Sequence, residues 1–289
     1  MPINVALIHM KLKPLARRLN LEKARKLIKE AALKGANVAI LPAFVNVGAF
    51  YLHYPLQRVK TLTRNQAEKI PSSTTELLSA TAIENGIYII AGPIIERAGP
   101  KLFLTTLIFA PNGSLIGKYR KIAVNGMDTE LGISPGRALH IVDKLPRRFG
   151  ILAEDDIYYP ELARSLIMLG ATALIVSLRH GDDVERAKLM LLARSVENNV
   201  PILAVGGVFE STDKYVETPT MVIDPKRGVV EELRGENEVD TYILVQVSEN
   251  PDNMDDIVRT TIAAKNLSHL YCKAARESLY PYQHHHQRR

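Results

Sequence analysis

The residues of this chain best suited to chemistry are one lysine and a run of three acidic residues. Lys121 ends one strand-like segment, and Glu154, Asp155 and Asp156 follow another. An ammonium group can stabilise developing negative charge and a carboxylate can accept a proton, so both types suit acid–base chemistry. Adjacent carboxylates are also typical of Mg²⁺ or Ca²⁺ sites. Because successive residues of an extended segment point to opposite faces, we expect the three carboxylates not to converge and predict no metal site.

The elements that must position these residues repeat along the chain. Three segments of the first half recur in the second half in the same order: 35–41 and 170–176, 82–87 and 195–200, and 106–111 and 220–225. Each repeat predicts a helix, a glycine turn, a buried strand, a helix ending in Glu-Asn, a second strand and a hairpin. Alternating helices and apolar strands favour layers of helix on sheet. We therefore predict an α/β fold, a four-layer α-β-β-α sandwich built from two pseudo-symmetric halves.

The same pattern suggests how the chain is divided. We expect residues 1–280 to form a single domain and residues 281–289, which include His284 to His286, to be a disordered tail. Residues 44–75 are less periodic, which predicts an insertion near one end of the sheets. The stretch 252–278 carries spaced apolar residues, predicts a C-terminal helix over 262–278, and is a candidate interface between copies of the chain.

Composition excludes several classes of function. The net charge is +6, but much of the excess lies on one predicted amphipathic helix within residues 11–34, without interleaved aromatic residues, so we expect no nucleic-acid partner. No apolar run is long enough to cross a bilayer, so we expect no membrane partner. The single cysteine, Cys272, excludes an internal disulfide. Together with the absence of a secretory pattern at the start of the sequence, this predicts a cytoplasmic protein.

Four stretches carry a resemblance to a known family. They are GANVAILP at 35–42, GKYRK at 117–121, residues 150–164, which end in YYPELAR, and ARSVEN at 193–198. In order and spacing, from about residue 5 to about residue 247, they are similar to the carbon–nitrogen hydrolase, or nitrilase, superfamily. The sandwich predicted from the repeats is also the architecture that this resemblance implies.

The resemblance implies a catalytic Glu, Lys and Cys, each just beyond a strand. In such a site the Glu deprotonates the thiol, the thiolate attacks, and the Lys stabilises the resulting oxyanion. Carried over to this chain, the position of the Glu falls on Ala43, that of the Lys on Lys121 and that of the Cys on Glu154. A further Glu that supports the Lys in the family corresponds most closely to Glu130.

Two of the three catalytic groups implied by the resemblance are thus absent. We expect Glu154 and Lys121 to meet, either as an ion pair or as a general base with its electrophilic support. The favoured hypothesis is a non-hydrolytic pseudoenzyme that binds a small molecule or regulates, with an open, polar pocket in which Lys121 is reachable. Asp155, Tyr158 and His180 are its candidate ligand-binding residues, no cofactor is expected, and a homodimer or higher homo-oligomer is the expected assembly. The alternatives are a carbon–nitrogen hydrolase with atypical chemistry and a non-catalytic subunit whose pocket is closed.

Overall fold

Helices and strands alternate along the chain in the order that the repeats predict. The computed structural model describes residues 2–181, 183–211, 214–235, 239–248 and 254–277. The strands are β1 (Ile3–His9), β2 (Lys11–Leu12), β3 (Val38–Ile40), β4 (Tyr88–Ala98), β5 (Lys101–Phe109), β6 (Leu115–Arg120), β7 (Ile141–Val142), β8 (Phe149–Ala153), β9 (Ala173–Ser177), β10 (Ile202–Val205), β11 (Gly207–Ser211), β12 (Lys214–Thr218), β13 (Thr220–Asp224), β14 (Gly228–Leu233) and β15 (Thr241–Val247). The helices are α1 (Arg17–Leu33), α2 (Leu56–Gln66), α3 (Ser73–Asn85), α4 (Gly126–Leu131), α5 (Pro160–Met168), α6 (Val184–Asn198) and α7 (Met254–Arg276).

The strands form two six-stranded sheets and one small sheet. The first sheet has the order β15-β1-β3-β4-β5-β6 and the second has the order β14-β13-β10-β9-β8-β7. In the first sheet β3 and β4 are parallel, and β5 and β6 continue it antiparallel. In the second sheet β9 and β10 are parallel, and β13 and β14 continue it antiparallel. The two halves therefore share one topology, as the repeated segments predict.

The apolar cores confirm the four layers. One core combines side chains of both sheets, such as Leu7 and Ile40 with Ile151 and Leu203. A second core lies between the first sheet and helices α1 and α3, and a third lies between the second sheet and helices α5, α6 and α7. The central strands β3, β8, β9 and β10 are buried on both faces, so they appear in the sequence as continuous apolar runs rather than alternating ones.

Helices α3 and α6, which are equivalent in the two halves, begin and end in similar ways. Helix α3 begins at a capping box formed by Ser72 and Thr75 and ends at Gly86, whose φ is +61°. Helix α6 is capped by Asp183 and ends at Asn199, whose φ is +55°. Glycine and asparagine are the residues that best tolerate this left-handed backbone at a helix end. Each of the two helices therefore ends shortly before a strand: β4 follows α3, and β10 follows α6.

The less regular segments depart in detail from the sequence expectations. Residues 44–75 include a 3₁₀ turn, Phe50–Leu52, and helix α2. Both contribute side chains to a fourth apolar cluster, which also contains Phe44. The C-terminal helix begins at Met254, eight residues before the predicted start. The tail 281–289 with its three histidines lies outside the described residues. Within the described ranges, no helix is both long and apolar enough to span a bilayer.

Candidate functional site

The candidate site lies where several strands of both sheets end. Lys121 directly follows β6, Glu154 directly follows β8, and Arg179 lies two residues beyond β9. Ala43 lies three residues beyond β3, and helix α4 brings Asp128 alongside. Residues from separate parts of the chain thus meet because their strands end at one edge of the sandwich, which is a common location for sites in α/β proteins.

The backbone makes a sharp turn at Glu154. Its φ is +51°, in the left-handed region that glutamate rarely adopts, and it begins a 3₁₀ turn over Glu154–Tyr158. Such a conformation costs about 1–3 kcal/mol and persists only where the surroundings enforce it. The turn directs the Glu154 side chain towards Lys121.

Lys121 is held by three carboxylates. Its Nζ donates hydrogen bonds to Asp128 Oδ2 at 2.6 Å, to Glu154 Oε2 at 2.9 Å and to Asp155 Oδ2. Lys121, Glu154 and Asp128 are each only 1% exposed. Burial alone would lower the pKa of Lys121, but the negative charges of Glu154, Asp128 and Asp155 outweigh burial and raise the pKa above its ordinary value. These surroundings therefore favour the ammonium form of Lys121.

Arg179 is a second cation on the same carboxylates. Its NH1 nitrogen lies 3.2 Å from Asp128 Oδ1, 3.2 Å from Glu154 Oε2 and 3.4 Å from Asp155 Oδ2. The guanidinium also lies over the ring of Tyr51, 5.1 Å from its centroid. Burial would lower the pKa of Arg179, but the charges of Glu154 and the other carboxylates raise it. We call Lys121, Asp128, Glu154, Asp155 and Arg179 the ion cluster.

The position of Asp155 corrects a prediction. Asp155 joins Glu154 in the ion cluster and also accepts hydrogen bonds from Asn125 Nδ2 at 3.1 and 3.2 Å. The prediction that adjacent carboxylates point apart was wrong for this pair because the segment is a 3₁₀ turn rather than an extended strand. Burial raises the pKa of Asp155, but Lys121, Arg179 and Asn125 outweigh it and lower the pKa.

Asp156 lies outside the ion cluster and has a structural role. It accepts hydrogen bonds from the Tyr119 hydroxyl at 2.6 Å and from the backbone N–H groups of Ala153 and Ala123 at 2.9 and 2.8 Å. Burial raises the pKa of Asp156 despite these hydrogen bonds. Asp156 thereby ties the turn after β8 to the segment after β6, which sets the distance between Glu154 and Lys121.

The expected role of Glu130 was wrong. Its side chain is 57% exposed, and its Oε2 accepts a hydrogen bond from Lys60 at 2.6 Å. Asp128, two residues earlier, contacts Lys121 instead because the Asn125 capping box of helix α4 turns Asp128 inwards. The sequence spacing between Lys121 and this short helix was too irregular to distinguish the two residues.

His180 and Tyr158 have partners beside the ion cluster. His180 is 1% exposed, and its Nε2 lies 3.2 Å from the carbonyl oxygen of Ala43. Burial is the main cause that lowers the pKa of His180 to about 4, so the ring is neutral at pH 7. The Arg186 guanidinium lies 4.9 Å from the centroid of the Tyr158 ring, which is half-buried against the third core. The structure thus brings together Lys121, Glu154 and Asp155 of the predicted residues.

The space around the ion cluster is small. Two cavities adjoin it, each of about 10 Å³, one lined by Glu154, Arg179 and Thr218 and the other by Tyr51, Asp128 and Arg179. Such a volume holds about one water molecule, whereas ligand pockets typically measure about 300–1,000 Å³. The expected open pocket with a reachable Lys121 is therefore absent from the described part of the chain. Arg179 lines both cavities, and no motif in the sequence singled out Arg179.

The ion cluster also bears on metal binding. Ligand atoms of Asp128, Glu154 and Asp155 lie within 4.8 Å of one another, close enough to coordinate one ion. All three carboxylates, however, already bind the cationic nitrogens of Lys121 and Arg179. In this structure an ammonium and a guanidinium group thus occupy the positions around these carboxylates that a metal ion would need.

Known proteins resemble this chain in sequence. A family model described as carbon–nitrogen hydrolase matches residues 4–249. Omega-amidase NIT2-A of Xenopus laevis is 32% identical over 246 residues, covering 80% of this chain and 86% of the relative. Omega-amidase NIT2 of Homo sapiens is 30% identical over 207 residues, covering 68% and 72% respectively.

Solved structures resemble it in fold. Nit3 of Saccharomyces cerevisiae, a member of branch 10 of the nitrilase superfamily, has a TM-score of 0.75 at 24% identity and covers 89% of this chain and 93% of its own. A double mutant of the amidase from Nesterenkonia sp. AN1 in complex with acrylamide has a TM-score of 0.76 at 20% identity and covers 94% and 97%. From its motifs, its sandwich and these matches, the chain belongs to the carbon–nitrogen hydrolase family.

Proposed function

We propose that this protein is a non-hydrolytic member of the carbon–nitrogen hydrolase family. The observation that carries the proposal is the ion cluster itself. At the strand end where the family resemblance implies a cysteine, Glu154 is fixed between Lys121 and Arg179, 2.9 Å and 3.2 Å from their nitrogens. Position 43, where a proton-accepting Glu is implied, is Ala.

The chemistry of these residues argues against amide or nitrile hydrolysis. A carboxylate is a much weaker nucleophile than a thiolate, and Ala43 has no group that accepts a proton. A general base must reach the proton that it removes, whereas Glu154 Oε2 is already bound to Lys121 and Arg179. Lys121 cannot stabilise an oxyanion while its three donor positions bind Asp128, Glu154 and Asp155.

The closed pocket favours a subunit or regulatory role over small-molecule binding in the resting state. Helix α7 offers a surface for assembly, since several large apolar side chains on it are more than a third exposed: Val258, Ile262, Leu267, Leu270 and Tyr271. Its first turn is acidic and its last turn is basic. Two copies of α7 packed antiparallel would therefore pair opposite charges. We assign this surface to a homodimer of the chain, in the reducing cytoplasm that the single cysteine favours.

One observation favours an alternative, an active hydrolase with atypical chemistry. The relatives that the chain matches at about 30% identity are named omega-amidases. In that alternative Glu154 activates water directly and Lys121 supports the oxyanion. It requires Arg179 to leave the carboxylates so that a substrate reaches Lys121.

Ammonia release by the purified chain tests the proposal against this alternative. We expect no release above the buffer rate from a panel of amides and nitriles, with a NIT2 omega-amidase as the positive control. Glu154→Gln should leave this background unchanged. Turnover by the unmodified chain that Glu154→Gln abolishes would overturn the proposal and establish the alternative.

A further inference from the structure

The surroundings of the Arg179 side chain are those of a bound cationic ligand. One face of the guanidinium lies over the Tyr51 ring, and its NH1 lies within 3.4 Å of three carboxylates. Aromatic faces and buried carboxylates are the groups that proteins use to bind guanidinium and quaternary or primary ammonium ions. The ring and the carboxylates come from three separate parts of the chain, so they form a built receptor around this one side chain.

The receptor has buried polar oxygens beyond those that its two resident cations occupy. Three carboxylates, those of Asp128, Glu154 and Asp155, surround the nitrogens of Lys121 and Arg179. Glu154 Oε1 is buried and makes no hydrogen bond to any described residue, and the same holds for Thr218 Oγ1. Glu154, Thr218 and Arg179 line one small cavity. The site therefore has spare acceptors for a further donor.

The Arg179 guanidinium is buried but lies against one exposed side chain. Its NH2 contacts the sulfur of Met127 at 3.5 Å, and Met127 is 42% exposed. Arg179 itself belongs to the connection between β9 and α6 rather than to either element. A rotation of this one side chain past Met127 would open the site without moving a strand.

We propose that the former catalytic pocket is a binding site for a guanidinium-type cation and that Arg179 fills it as an intramolecular ligand. An external alkylguanidine competes with the Arg179 side chain for Glu154, Asp128, Asp155 and the Tyr51 ring. Competition with a tethered group weakens external binding by the fraction of time that the site is open. The inference uses the closed pocket of the proposed function, but it concerns binding and not turnover.

Calorimetry with ethylguanidinium chloride tests this site. Arg179→Ala should bind ethylguanidinium at least ten-fold more tightly than the unmodified chain, because the competing group is gone. Ethylurea, which is neutral and of similar shape, should not bind detectably. Adding Glu154→Gln to Arg179→Ala should weaken ethylguanidinium binding at least ten-fold. The matched control is Arg186→Ala, which removes an arginine from the outer side of the same region and should bind no better than the unmodified chain.

Three outcomes would overturn the inference. They are a failure of Arg179→Ala to bind ethylguanidinium, binding of ethylurea as tightly as ethylguanidinium, and an affinity of the unmodified chain for ethylguanidinium equal to that of Arg179→Ala. If Arg179→Ala does not fold alone, 10 mM ethylguanidinium must still raise its folded fraction in far-UV circular dichroism relative to equal NaCl, since a ligand of the folded state stabilises that state. No rise would refute the site. Ammonia release by the unmodified chain would overturn the proposed function and leave this result standing.

Discussion

A carboxylate at residue 154 changes what the strand-end lysine can do. In a thiol-based site the lysine must remain available for an oxyanion, whereas here Lys121 has carboxylate partners in three directions. Buried ion pairs are costly to form, but they are far more costly to break on one side only. We therefore interpret the ion cluster as a structural feature in which each member requires the others.

The contrast between Asp128 and Glu130 provides a residue-scale prediction. Asp128→Asn should lower the free energy of unfolding by about 3 kcal/mol, because Lys121 and Arg179 would lose one of their buried counter-charges. The matched control Glu130→Gln, at an exposed side chain paired with Lys60, should leave the unfolding midpoint unchanged. Urea denaturation measures both. Equal effects of the two variants would show that the cluster is assigned to the wrong acidic residue.

Part of the site was predictable from the sequence. The spacing of the motifs predicted that Lys121 and Glu154 lie close together, because both follow strands that end at the same edge of the sandwich. The convergence of Asp155 was not predictable, since it depends on a 3₁₀ turn that the apolar pattern does not signal. Arg179 was missed because an isolated arginine beyond a strand carries no periodicity; its position beside His180 was the only available signal.

At the scale of elements, the repeats predicted the strands and helices well because both follow hydrophobic periodicity. Polar contacts between strands have no periodicity in the sequence, so they could not be predicted in this way. Glu96 on β4 is 2% exposed and accepts hydrogen bonds from Thr105 on β5 and from Lys118 and Arg120 on β6. These contacts join the three strands that lead to Lys121.

Glu96 predicts an acid dependence of stability. Burial raises its pKa, but the hydrogen bonds from Arg120, Thr105 and Lys118 outweigh burial and lower the pKa from 4.5 to about 2. A lowered pKa in the folded state stabilises the fold above pH 4.5, and this contribution is lost as the pH falls towards 2. Glu96→Gln should therefore flatten the dependence of the unfolding free energy on pH between 4.5 and 2.

Its control is Glu84→Gln, which removes a carboxylate from the exposed pair with Arg25. Denaturation at a series of pH values should show the slope in the unmodified chain and in Glu84→Gln but not in Glu96→Gln. An unchanged slope in Glu96→Gln would assign the acid sensitivity to other carboxylates.

For the molecule as a whole, the sandwich leaves helix α7 on the outside of the second sheet, packed on α5. Apart from the buried Ile257, α7 has little apolar contact with its own chain. The sequence predicted a helix here, but it could not show which apolar residues the fold leaves exposed.

The proposed homodimer gives a whole-molecule prediction. Replacing Leu267 and Leu270 together by Glu should convert a dimer into a monomer, because like charges would meet where apolar surface is buried. Light scattering after size exclusion measures the mass, which for one chain is 32.1 kDa. Leu33→Glu, at an exposed leucine on helix α1 in the opposite outer layer, should leave the dimer intact. A monomeric unmodified chain would contradict the assignment.

We propose that the ion cluster stabilises the fold instead of performing catalysis. The free energy of unfolding of Lys121→Met tests it most directly. The account predicts a loss of about 3–5 kcal/mol, since Asp128, Glu154 and Asp155 would remain buried with Arg179 alone. An unchanged or increased free energy of unfolding would contradict the account, because stability gained on removing a charged group is the behaviour of an active site maintained at the expense of stability.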